Sequence, residues 1–155
     1  LSFPISRARL LAEKFVALLL PIVVINVVVG TVIFLSADAI DESIDLTHLV
    51  MTHVLSVPYL LVCAGIGIVL SVIVNRAAIA ERGAIGLVFV LFLVESAIGS
   101  ADEYDWIQYL SPTHYYDPTT ILLDGSYELI DSAILLVAFL GLVLLGQILF
   151  TNRDI

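Results

Sequence analysis

Long runs of apolar residues, broken by short polar clusters, dominate the chain, and the lengths of the runs identify what they cross. A helix needs about 20 apolar residues to traverse roughly 30 Å of hydrocarbon. Four windows meet that requirement: 15–37, 46–75, 83–101 and 132–152. The first is 23 residues of mostly Leu, Val and Ile, with Pro21, Asn26, Gly30, Thr31 and Ser36 as departures. The second, at 30 residues, is longer than one perpendicular helix needs, so its His48 to His53 end is read as interfacial and Pro58 as a kink point. The third is interrupted by Glu95 alone, and the fourth carries no charge. The pattern predicts an all-α, polytopic membrane bundle of four transmembrane helices.

Composition agrees with this reading. Hydrophobic residues make up 61% of the chain and charged residues 14%, with a mean hydropathy of +1.11. A soluble domain carries about 25% charged residues.

Charge then orients the bundle. The six basic residues all fall on one side of the deduced topology: Arg7, Arg9 and Lys14 before the first span, Arg76 and Arg82 between the second and third, and Arg153 after the fourth. Lys and Arg are retained on the cytoplasmic side, so both ends are predicted to be cytoplasmic, in the cell membrane. The opposite side holds no Lys or Arg, and its eleven acids, from Asp38 to Asp45 and from Asp102 to Asp131, exceed the net charge of −9. Acidic outer loops argue against a nucleic-acid partner, because phosphate binding needs clustered Lys and Arg. A single Lys and a pI near 4.4 suit an outer face adapted to high salt, as in a salt-adapted archaeon. The lone Cys63 lies within a span and is read as a small core residue with no partner for an intrachain disulfide.

Before the first span, residues 1–14 suggest a short interfacial helix. Ser6 is placed as its N-cap, Arg9 and Glu13 are spaced i,i+4, and Leu11 and Phe15 share a face. No signal-peptide pattern opens the chain. Between the last two spans, residues 102–131 are rich in Tyr and carry Trp106, a composition that favours the lipid headgroup level. Pro112 and Pro118 divide this loop into short pieces, and 107–110 and 120–123 are apolar enough to dip into the membrane, so a re-entrant or lid hairpin is expected.

The candidate chemistry is sparse. His114 and Asp117, three apart and beside Tyr115 and Tyr116, supply atoms that bind metals, but a structural site needs about four ligands and no second cluster is near, so no metal is expected. His48 and His53 diverge on a helix. Glu95 is the one ionisable group inside a span, where a carboxylate is costly unless it faces a cavity or a partner. It stands about 18 Å along the third helix from Gly83 at roughly 1.5 Å per residue, toward the outer face. Two readings stay open: a protonated or hydrogen-bonded structural residue near the outer interface, or a residue lining a substrate path. Asn26 and Gln147 are its candidate polar partners. No G-x-x-x-x-G-K-[ST], H-E-x-x-H or G-x-S-x-G occurs, so neither nucleotide hydrolysis nor common proteolysis has its residues here, and no cofactor is implied.

At Leu1, Ser2, Pro4, Ile5, Ser6, Arg7 and Lys14 the chain resembles the permease subunits of ABC exporters of the ABC-2 type, which have a cytoplasmic Leu-Ser-x-Pro-[Ile/Val]-Ser-Arg stretch and then a Lys before a span. Position three, often basic in that family, is Phe3 here. The likeness continues through the Ser-Pro and aromatic-rich loop at Ser111, Pro112, His114, Tyr115 and Tyr116, and a short charged tail at 153–155. It implies a six-span permease of which this chain is the last four, a substrate path, a separate ABC ATPase subunit that docks at Pro4, Ser6, Arg7, Arg9 and Lys14, and a homodimer or paired permease. The competing class is a four-helix membrane scaffold or assembly factor without transport.

Overall fold

The computed structural model describes residues 7–74, 76–98 and 102–151. Among these the fold is all-α. Helix α1 covers Arg7–Ala39, α2 Leu46–Ile73, α3 Ala77–Ile98, α4 Pro118–Asp124 and α5 Leu129–Thr151. Two 3-10 helices, Asp102–Leu110 and Pro112–Tyr115, precede α4. Three helices are long and apolar enough to cross a membrane: α1 over Val16–Ala39, α2 and α5. That leaves α3, the third predicted span, outside the set.

Helix boundaries follow local chemistry. The Asp45 carboxylate caps α2 by accepting from the Thr47 and His48 amides, and these bonds hold its pKa below the usual value. Helix α2 ends where Val74 turns extended, and Arg76 precedes α3. From Arg7 onward the predicted interfacial stretch is continuous with the first span as one helix of 33 residues. The His48 to His53 stretch is likewise the first turns of an uninterrupted α2, with Pro58 inside it. Helix α3 starts six residues before the predicted window, and α5 three before its own.

Helix α2 is the hub, touching α1, α3, α4, α5 and the second 3-10 helix. It runs antiparallel to α1, as the Asn26–Ser56 and Gly30–His53 approaches show, and antiparallel to α3 through Gly67–Ala84. Against α5 it is parallel: Gly65 meets Phe139 and Leu142, and Ile68 meets Gly146. A Cβ at Gly65 would stand 3.1 Å from Leu142, so the missing side chain is what lets these helices approach. The buried core lies on this seam and comprises Leu61, Val62, Leu135 and Phe139. The outward faces carry exposed Val, Leu, Ile and Phe, as lipid-facing helices do.

The connectivity puts the α1–α2 turn, the C-terminus of α3 and the start of α5 at one end of the bundle. Residues 102–128 gather there as a set of short helices, so this is termed the capped end.

Candidate functional site

The capped end holds most of the polar contacts among the described residues, and its organiser is Ser111. Pro112 starts the second 3-10 helix at the position where a missing N–H costs nothing, and the extended residue before it caps that helix. That residue is Ser111, only 2% exposed. Its hydroxyl accepts from the Thr113 amide at 3.3 Å and donates to Glu95 Oε2 at 3.0 Å. One hydroxyl therefore ties α3 to the cap. The expected partners of Glu95 were Asn26 and Gln147. Instead, the Asn26 side-chain oxygen accepts from Ser56 at 2.7 Å, its amide donates to the Ile22 carbonyl, and Gln147 is exposed on α5.

A second polar line runs down α2. Thr52, Ser56, Tyr59 and Cys63 recur at the three- and four-residue spacing that places side chains on one helical face. Thr52 and Ser56 are buried. Tyr116 reaches this line, donating its hydroxyl to the Thr52 carbonyl at 3.0 Å while its ring stacks on Tyr59 with centroids 5.4 Å apart. Burial raises the Tyr116 phenol to about 12. The spacing on α2 was the signal that could have revealed this face in advance.

Of the loop residues singled out from the sequence, His114, Tyr115, Tyr116 and Asp117 are brought together on a cavity of about 220 Å³, which Glu128 and Asp131 also border. Pro112 is buried beside it in the chain. His114 meets Tyr109 and Tyr115 edge-on at 4.8 and 5.1 Å, and Tyr115 donates to the Tyr109 carbonyl. The Asp117 carboxylate is occupied as the cap of α4: it accepts from Thr120 Oγ1 at 2.6 Å and from the Thr119 and Thr120 amides. The Thr120 hydroxyl, foremost, holds its pKa down. Helix α4 ends at Gly125, whose left-handed φ of 65° faces the His48 imidazole.

Two apolar grooves open on the sides of the bundle. One of about 490 Å³ lies between α1 and α2 and includes Asn26, Gly30 and His53; the other, of about 400 Å³, lies between α2 and α3. Pro4 and Ser6 fall outside the described residues. Arg7, Arg9 and Lys14 lie on α1, at the end of the bundle away from the cap.

Comparison with protein families places these features. The family described as "ABC-2 family transporter protein" matches residues 1–155, the whole chain, and the chain belongs to it. It is a multi-pass membrane component of a transporter, a non-catalytic one. No curated protein and no solved structure matches the chain.

Proposed function

We propose that this ABC-2 family chain is the permease subunit of an ABC exporter, forming a substrate path across the cell membrane and responding to an ATPase on a separate subunit. The observation that carries the reading is the family match over the whole of residues 1–155, a stretch that contains no nucleotide-binding motif. ATP hydrolysis then belongs to a partner, as is general for such permeases.

Four crossings fit the proposal. At 22 residues, α3 is about 33 Å long at roughly 1.5 Å per residue, enough to join α1, α2 and α5 across the bilayer. Its charges, Glu81 and Arg82 at the start and Glu95 near the end, then sit toward the two interfaces. Arg76 and Arg82 favour a cytoplasmic position for the α2–α3 junction, which puts the capped end outside and both chain ends inside. Glu95 and the loop residues Pro112, His114, Tyr115, Tyr116 and Asp117 then stand where substrate leaves. The stretch with Pro4, Ser6, Arg7, Arg9 and Lys14 meets the ATPase and, being continuous with α1 from Arg7, moves that helix as a rigid rod. Two permease copies, identical or paired, complete the path.

The test is assembly. Co-expressed with the ATPase subunit, the chain co-purifies and supports substrate-stimulated hydrolysis in vesicles. Arg7→Lys with Arg9→Lys keeps the charge but loses the planar fork, so it inserts normally and weakens assembly. A chain that never associates with an ATPase is a scaffold, and the reading fails.

A further inference from the structure

We propose that the α2–α3 groove is a binding site for a single-tailed amphiphile with an ammonium head, its tail along the groove and its head at Glu95. This deepens the exporter reading and depends on its placement of α3 in the membrane, but not on transport.

The groove itself is apolar, and a carboxylate lies one helical turn beyond it on α3. Its walls are Ala84, Ile85, Val88, Phe89 and Phe92 of α3 facing α2, and its volume of about 400 Å³ is within the usual range for small-molecule sites. Tyr59, on the opposite wall, marks the end nearer the cap, where its ring stacks on Tyr116. Glu95 lies one turn beyond Phe92, half-buried, and receives its hydrogen bond from the neutral Ser111 hydroxyl. A hydroxyl does not neutralise a carboxylate. None of residues 83–152 is Lys or Arg, and the nearest basic residue on α3, Arg82, is about 20 Å away along the axis at roughly 1.5 Å per residue. At the membrane edge, a carboxylate with no basic residue near it on its own helix is complementary to a cation, and their attraction grows as the dielectric falls toward the apolar groove. A cation reaching Glu95 from the lipid along this groove must carry an apolar body. An anionic head lacks the complementarity, a zwitterionic head brings a phosphate toward the carboxylate along with its cation, and a bare metal ion has no reason to favour the apolar wall.

The probe is a dodecyltrimethylammonium with a photoreactive diazirine in its tail, applied to the full-length protein in phosphatidylcholine nanodiscs, with labelled peptides read by mass spectrometry. Its control is the uncharged isostere in which carbon replaces nitrogen. The cation is expected to label the 84–92 and 59–63 segments at least tenfold above the isostere. Glu95→Gln, which keeps the acceptor for Ser111, brings the cation down to the isostere's level, and Val88→Trp fills the groove and abolishes labelling with Glu95 intact. Equal labelling by the two probes overturns the proposal, as does full labelling in either folded variant. Absent labelling in a protein that assembles with its ATPase removes this site alone. Specific labelling without assembly upholds the site and removes the exporter reading instead.

Discussion

The Tyr116 hydroxyl donates to the Thr52 backbone carbonyl at 3.0 Å, joining residues 64 apart in the chain and fastening the cap onto the hub helix. The Thr52 carbonyl lies in an α-helix, so the bond adds to the helix's own ladder and holds the cap by its side chain alone. Tyr116→Phe keeps the stacking on Tyr59 and removes only this bond. Chemical unfolding followed by Trp106 fluorescence should show a loss of about 0.5–1.5 kcal/mol, the net worth of one such bond. Because burial lifts this phenol to about 12, the folded state holds its proton more tightly than the unfolded chain does. The associated stability is complete below the ordinary Tyr pKa and declines from about pH 10 toward 12, a decline that the Phe variant lacks. An identical alkaline profile in both proteins would refute the assignment.

Gly125 is the position where backbone and side-chain constraints coincide. Its φ of 65° is left-handed, and a Cβ there would collide with the His48 imidazole. Gly125→Ala is therefore expected to cost about 1–2 kcal/mol for the backbone and more for the clash. Adding His48→Ala relieves the clash but not the backbone strain, so the double variant recovers part of the loss. Full recovery would show that the imidazole alone sets the requirement.

Removing the cap of α4 with Asp117→Ala should cost about 1 kcal/mol and speed amide exchange at Thr119 and Thr120. Asp117 titrates below its ordinary value when folded, so its contribution is present above the unfolded pKa and is lost as pH falls through the folded one. The wild-type amides should therefore lose protection only in acid, below about pH 4. The Ala variant should show no such acid step.

Topology is checked with single cysteines in a Cys63→Ala background. Asp41→Cys and Ser126→Cys, both at the capped end, should react with an impermeant thiol reagent added to intact cells. Ala78→Cys, at the α2–α3 junction, should react only after permeabilisation. Labelling of Ala78→Cys in sealed cells with protection of the other two would invert the orientation and displace the ATPase-facing role of the basic residues.

What the sequence revealed was whatever hydropathy and capping decide locally. Each predicted span has a helix over most of its length, and the acidic loop's prolines start two of its short helices at Pro112 and Pro118. Glu95 stood out because a carboxylate among apolar residues is conspicuous. Its partner did not, since Ser111 is 16 residues away behind a loop whose path is set by tertiary contacts. Asn26 was the more natural guess by polarity, but its helix packs against α2 and not against α3, and its side chain meets Ser56. Helix boundaries shifted by up to eight residues because charged residues such as Lys14, Glu81 and Arg82 end an apolar window without ending a helix.

The parallel seam between α2 and α5 also dictates an order of events during synthesis. The Leu61, Val62 and Gly65 face of α2 is completed by Leu135, Phe139 and Leu142, so the hub is made long before the surface that seals it. At about 5–20 residues per second, α2 waits several seconds for α5 to leave the ribosome. Over that interval its sealing face is in contact with lipid or with the insertion machinery. A photocrosslinker at Leu61 should therefore capture lipid or insertase in nascent chains halted before residue 129, and α5 once the chain is released. Capture of lipid at Leu61 in the finished protein would show that the seam never closes.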